Sequence, residues 1–340
     1  MSAMVDVEIS SYNIHSCVGA DGLYSVDRVA RVIGEGNAQI MCLQEVEANV
    51  PAVTSRVTSP PPIIPIRTRI WSSPHNDDQT AAIASQVGFK YHAFAPAIRS
   101  RASSRCKETH DFASNLDVSG KFDDEVWRKK YVTDYEEEQY NTNDTMGRFG
   151  IAILSKYPIV QIRTHQYQRY KRKTIRNAIA CLVSLPNNEL LWVVNTHLGC
   201  HFIGKEQHEQ AKQLVGFVDS LGGKPKTTCG VMLCGDFNSP PILPSIRIIR
   251  QSGMRDVWHQ SFANRKGLLQ IGGTFPSNAR VLGMPSCFRK LIRLDYIFLL
   301  EKSGKEIVCK CVHVQDGSYN CSLASDHLPV HAVFFVGSSR

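Results

Sequence analysis

Six oxygen-bearing side chains and two histidines could do chemistry together. Asn13, Glu45, Asp236, Asn238, Asp295 and Asp326 stand at or near the ends of apolar runs, as do His197 and His327. Cleaving a phosphate ester needs a counter-charge on the phosphoryl oxygens, an oriented water and a proton for the leaving oxygen. Oxygen donors with a hard cation meet the first need, and this donor set suits Mg²⁺ or Mn²⁺ far better than Zn²⁺. The imidazoles supply a donor that can carry positive charge or activate a water near neutral pH. Asp295 is the candidate carboxylate beside one of them, giving a base and its orienter without a protein nucleophile. Taken singly, a strand-end Asp or Asn is as readily a turn or cap residue, and a lone His is commonly structural.

The elements that must position these groups are short and apolar. Val5–Ile9 precedes Tyr12-Asn13, Ile40–Leu43 precedes Gln44-Glu45, Ile151–Leu154 precedes Ser155-Lys156, Leu191–Val194 precedes Asn195-Thr196-His197, and Val231–Cys234 precedes Asp236-Phe237-Asn238. These runs read as buried strands with functional groups at their ends. Val26, Val29, Ala30 and Ile33 recur at helical spacing with Gly34 as the stop, and Leu214, Val215, Val218 and Leu221 do so before Gly222-Gly223. Further strands near 159–162, 175–184 and 190–196 follow one another without a helix, which predicts mixed sheets with outer helices. One domain over 1–340 is expected.

Two stretches break this pattern and read as irregular insertions. Residues 51–78 hold six of the 16 prolines, and residues 99–146 pass from basic (Arg99, Arg101, Arg105, Lys107) to acidic (Asp134, Glu136, Glu137, Glu138) with no apolar period.

Composition narrows the setting. The balance of 39 Lys and Arg against 31 Asp and Glu, a net charge of +8, favours an anionic partner such as nucleic acid, a phosphorylated metabolite or an anionic membrane surface. Eleven irregularly spaced cysteines read as reduced thiols of a cytoplasmic or nuclear protein. No leader segment is visible, and no apolar run approaches the ~18–20 residues of a membrane span. Cys309, Cys311 and His313 invite a zinc reading, which their expected crowding on one strand face argues against.

The order of the motifs adds what single residues cannot. Tyr-Asn-Ile-His (12–15), Leu-Gln-Glu-Val (43–46), Gly-Ile-Ala-Ile-Leu-Ser-Lys-Tyr-Pro-Ile (150–159), Asn-Thr-His-Leu (195–198), Gly-Asp-Phe-Asn (235–238), Leu-Asp-Tyr-Ile-Phe (294–298) and Ser-Asp-His-Leu-Pro-Val (325–330) follow one another along the chain. In that order they resemble the signature blocks of the endonuclease/exonuclease/phosphatase superfamily. The resemblance implies a DNase I-like four-layer α/β sandwich, two packed mixed β-sheets with helices outside. It implies that Asn13, Glu45 and Asp326 are metal ligands, Glu45 the principal one, for Mg²⁺ or Mn²⁺. Asp236 would orient or activate water, Asn238 would hold phosphate, and His197 and His327 would be the phosphate-binding and acid/base histidines, with Asp295 paired to His327. Arg176 stands where family members often place a phosphate-contacting arginine; Lys171, Arg172 and Lys173 read either as an extension of that basic rim or as a solvated loop, and Thr274 either as a phosphate contact or as a turn hydroxyl.

Within the superfamily, Val-Gly-Ala-Asp-Gly (18–22) and Thr-Phe-Pro-Ser (274–277) resemble a metal-dependent hydrolase branch of undefined substrate. Arg-Leu-Asp-Tyr (293–296) and Gly-Asp-Phe-Asn differ from the forms typical of inositol-polyphosphate 5-phosphatases and tyrosyl-DNA phosphodiesterases. The leading expectation is a monomeric phosphodiesterase or nuclease that uses a metal-associated water, nucleic acid being one candidate substrate. A phosphomonoesterase or lipid-headgroup phosphodiesterase is the alternative, and a non-catalytic binding scaffold the remote one.

Overall fold

The computed structural model describes residues 4–50, 75–100, 119–121, 147–170, 175–201, 203–221, 228–259, 272–278, 289–301, 305–319 and 322–338. In chain order the strands begin β1 (Val5–Asn13), β2 (Ile40–Val50), β3 (His75–Asp78), β4 (Tyr91–Ser100), β5 (Ser119–Lys121), β6 (Gly147–Ser155), β7 (Ile159–Gln166) and β8 (Asn177–Ser184). They continue with β9 (Leu190–His197), β10 (Thr228–Asp236), β11 (Arg255–Asp256), β12 (Asp295–Glu301), β13 (Lys305–Val314), β14 (Ser318–Tyr319), β15 (Ser322–Leu323) and β16 (Val330–Ser338). The α-helices are α1 (Val26–Glu35), α2 (Gln79–Val87), α3 (Lys205–Leu221) and α4 (Pro244–Gln251).

Two mixed sheets pack face to face. The first runs β13-β16-β1-β2-β6-β4-β5, with β3 on β2, and the second runs β11-β12-β10-β9-β8-β7. Each holds one parallel pair, β1 with β2 and β9 with β10, among antiparallel neighbours. Alternation along the strands sorts their side chains into two layers of core. Val7, Ile9, Ile40, Cys42, Cys181, Val193, Met232 and Ile297 meet between the sheets. Trp192, Val194, Leu233 and Phe298 face the opposite way, onto Leu214 and Val218 of α3 and Ile246 and Ile249 of α4. Met41 and Leu43 likewise face Val29 and Ile33 of α1 and Ile83 of α2. The result is the expected helix–sheet–sheet–helix sandwich.

Local chemistry sets the helix limits. Ser25 caps α1 by accepting from Arg28 N, and the helix runs past the expected stop at Gly34 to Glu35, because the left-handed turn falls at Asn37 (φ 55°). Asp78 caps α2 through Ala81 N, and Gly88 (φ 84°) ends it in the left-handed conformation.

The insertions are shorter than expected. Residues 75–78 form β3 against β2, residues 99–100 complete β4, and residues 119–121 pair with β4 as β5. The remainder of both stretches, and Lys171–Lys173, lie outside the described residues. Strand β13 also departs from expectation. Its register shifts between Cys309 and Cys311, so Ile307 and Cys309 but then Val312 and Val314 face the core. Cys309 and His313 therefore do not share a face. The eight described cysteines are free thiols, and among the described residues no helix is long and apolar enough to cross a membrane.

Candidate active site

Strand register brings distant motifs into one row. In the second sheet Asp236 of β10 lies opposite His197 of β9 and opposite Asp295 of β12. All three follow the parity of inward-facing neighbours Val193, Cys234 and Ile297, so they close one end of the space between the sheets. Across that space Asn13 ends β1 with the same parity as Val7 and Ile9.

Glu45 reaches the site by a device that no pattern reveals. Met41 and Leu43 face the helices, as do Val46 and Ala48, so the alternation of β2 skips a step at Glu45. The pairing with β6 slips between Gln44 and Val46, and Glu45 has φ 54°. This β-bulge turns inward a carboxylate that strict alternation would send toward α1.

Asp236, 1 % exposed, is the centre of the polar network. Its Oδ2 accepts from Asn13 Nδ2 at 3.0 Å, and its Oδ1 accepts from the Asn238 amide at 2.8 Å. His197 Nε2 and His327 Nε2 lie 3.5 and 3.7 Å from Oδ2. Burial raises the Asp236 carboxyl to about 7, against the opposing pull of His327 and with a further push from Asp295.

The two histidines are held in opposite states. Burial disfavours charge on both, but His327 faces Asp295 and Asp236, and its pKa is raised well above the ordinary value. Its Nδ1 donates to Asp295 Oδ2 at 2.9 Å. His197 has its pKa lowered, by burial first and then by Arg176 and His327. Arg176 Nη1 donates to His197 Nδ1 at 2.8 Å. A neutral imidazole accepts at one nitrogen only, and the shorter, charge-assisted contact from Arg176 gives that role to Nδ1; the proton of neutral His197 then sits on Nε2, and the Asn238 Nδ2 contact there is a close approach and not a hydrogen bond. Asn238 Nδ2 lies 3.1 Å from that Nε2 and donates to Leu198 O, with Asn238 in the left-handed region (φ 46°).

Arg176 thus stands behind His197 rather than beside open space. Thr274, fully buried, accepts the amides of Leu294 at 3.1 Å and Asp295 at 3.3 Å, which braces the start of β12. Ser325, not singled out by its type, donates to Asn13 O at 2.7 Å and accepts from His327 N at 3.2 Å. It ties the last motif to the first, and its place in Ser-Asp-His was the only signal for it.

Among the described histidines, cysteines and acidic residues the group compact enough to hold an ion is Asp236, Asp295 and His327, whose ligand atoms lie within 4.8 Å of one another. It is not the expected set of Asn13, Glu45 and Asp326. In that trio His327 Nδ1 is engaged by Asp295, and a histidine held protonated has no lone pair to give. Glu45 and Asp326 fit an oxygen-liganded cation better. The Glu45 side chain is 25 % exposed and its nearest cationic neighbour, His197 Nε2, is 4.0 Å away on a ring held neutral. Asp326, 18 % exposed, has His15 Nδ1 at 3.5 Å and Ser325 Oγ at 3.4 Å. Asn13 Oδ1 accepts from His15 N at 3.0 Å and keeps a second lone pair.

Comparison with known proteins places this architecture. The sequence profile described as the Endonuclease/Exonuclease/phosphatase family matches residues 10–327. A search of curated proteins returns no match. Among solved structures, an endonuclease/exonuclease/phosphatase from Beutenbergia cavernae is similar with a TM-score of 0.61 and 18 % identity, over 98 % of this chain and 72 % of that one. The human Nocturnin catalytic domain with bound sulfate anion is similar with a TM-score of 0.57 and 18 % identity, over 98 % and 97 % of the two chains. A mannosyl-6-phosphatase from Bacteroides thetaiotaomicron is similar with a TM-score of 0.59 and 14 % identity, over 96 % and 99 %. At these identities the likeness establishes the fold.

Proposed function

This chain belongs to the endonuclease/exonuclease/phosphatase family, and from that premise we propose that it is a magnesium-dependent phosphoesterase acting on phosphodiesters. The observation that carries the reading is the pair of imidazoles in opposite states on either side of Asp236, since separated proton affinities in one pocket mark an acid and a base. Glu45, Asp326 and Asn13 would hold Mg²⁺, which when bound supplies positive charge to a phosphoryl oxygen. Asp236, a carboxylate whose proton affinity is close to neutrality, takes the proton of the attacking water, and Asn238 and Asn13 fix its orientation. His327, charged and held by Asp295, faces the developing negative charge and gives a proton to the leaving oxygen. His197 donates its Nε2 proton to a phosphoryl oxygen without carrying charge, and Arg176 keeps it in that tautomer.

Charge favours a diester. Among the described residues the guanidinium at this site is Arg176, already committed to His197 Nδ1. A diester brings one negative charge and a monoester up to two, so the smaller charge suits the donors present. The mannosyl-6-phosphatase neighbour makes monoesters the reading to test against. With Mg²⁺ present, bis-p-nitrophenyl phosphate should turn over at least about tenfold faster in kcat/KM than p-nitrophenyl phosphate, a difference of ~1.4 kcal/mol. The reverse preference would establish the monoesterase alternative, and turnover of neither would leave the scaffold.

A further inference from the structure

Beside Asp295, with Asp256 of the neighbouring β11 in its wall, lies a small pocket lined also by Trp258, Arg293, Val312 and Val330. It offers about 10 Å³ to the centre of a water molecule, at the lower edge of what one water needs and too little for a larger ligand. Two polar atoms of its lining residues are buried and have no partner among the described residues: Arg293 Nε and Asp295 Oδ1. They are complementary, one a donor only and the other, in a carboxylate, an acceptor only.

Their surroundings hold both atoms in place. Arg293, 2 % exposed, gives Nη1 and Nη2 to Asp256 at 3.2 and 2.8 Å, and its guanidinium carbon lies 4.5 Å from the centre of the Tyr296 ring. Asp256 is gripped a third time by Arg250 at 2.7 Å. The guanidinium therefore cannot turn Nε to another acceptor without breaking the fork. Asp295 is equally committed, with Oδ2 on His327 Nδ1. Buried polar groups in native proteins are satisfied by protein or by ordered water, and a buried water makes two to four such bonds.

We propose that one buried water bridges Arg293 Nε–H to Asp295 Oδ1, which makes Arg293 a positioning residue for the Asp295–His327 pair. The water accepts from Arg293 and donates one proton to Asp295, while Asp256, which already accepts from Arg293, Arg250 and Trp258 N, only walls the pocket. With both oxygens bonded, the Asp295 carboxylate cannot rotate about its Cβ–Cγ bond, and the direction of the His327 ring is set. The catalytic consequence rests on the reading of His327 as the acid. The water site itself does not.

The test separates the two. A high-resolution crystal structure of the wild-type chain should show one water within hydrogen-bond distance of Arg293 Nε and Asp295 Oδ1. Val312→Ile adds a methyl group to the pocket without touching the ion pair, and should remove that water, lower kcat at least tenfold and leave KM within about twofold. Val330→Ile serves if the first variant does not fold, and Val308→Ile, on the exposed side of β13, should leave both constants unchanged. A wild-type pocket without the water, or a filled pocket with undiminished kcat, overturns the proposal. A chain with the water in place but no phosphoesterase activity overturns only the reading of the site.

Discussion

Asp236 Oδ2 gathers an amide, a neutral imidazole and a charged imidazole within 3.7 Å, and the proposed chemistry follows from which of these can move a proton. His327→Ala should lower kcat by about 10²–10⁴, the usual worth of a positioned acid. Asp295→Asn should add little to it in the double variant, because groups serving one function are strongly non-additive. Steady-state kinetics of the single and double variants decide this, and losses that multiply fully would show independent roles. Glu45→Gln should lower metal-supported kcat/KM far more than tenfold, which is ~1.4 kcal/mol, with an unchanged melting temperature. Residue types and order were enough to nominate Glu45, His197, Asp236, Asn238, Asp295 and His327 from the chain alone, because each borders an apolar run inside a recognisable motif. The same reading did not foresee that Arg176 bonds His197 or that Thr274 accepts the amides of Leu294 and Asp295. Which way a side chain turns depends on partners 21 residues away in one case and 20 in the other, and no local pattern encodes that.

At the scale of elements, the strands that end in motifs were legible from their apolar runs, and α1 and α3 from their spacing. Several segments that carry no motif were not. Helix α2 spans 9 residues and α4 only 8, too short for a clear period, and β4 carries Pro96 within a strand, a residue that argues against one. The bulge at Glu45 is a matter of pairing and φ, so it was invisible. A similar constraint acts at Gly235 (φ 148°), where an added Cβ would meet Thr196 O at 2.1 Å. Gly235→Ala should push β10 from β9 at the point where Asp236 faces His197, lowering both kcat and the melting temperature; unchanged kinetics would show that this register does not hold the site. Helix α3 packs Phe217 on His165 of β7, with ring centres 5.5 Å apart. Burial lowers the His165 pKa below its usual 6.5, so the unfolded chain binds the extra proton as pH falls. Its contribution to stability is whole above about pH 6.5 and is lost as pH drops toward the folded value. Denaturant melts at pH 7.5 and 5 should show a smaller acid loss for His165→Gln than for the wild type, and an equal loss would place the acid sensitivity elsewhere.

For the molecule as a whole, the sandwich puts the ends of β1, β9 and β10, the start of β12 and the bulge of β2 at one edge of the space between the sheets, so that motifs from both ends of the chain share one site. The net charge of +8 bears on what approaches that edge. If the natural diester is a polyanion, KM for single-stranded DNA or RNA should rise steeply with salt while that for bis-p-nitrophenyl phosphate stays flat. The central claim is that the oxygen donors around Glu45 hold a hard cation on which turnover depends. The most direct test is to chelate and dialyse the wild-type chain and measure bis-p-nitrophenyl phosphate hydrolysis before and after adding back single ions. The account expects activity to vanish on chelation and to return with Mg²⁺ or Mn²⁺. Full activity in the chelated protein, or recovery with Zn²⁺ alone, would contradict it.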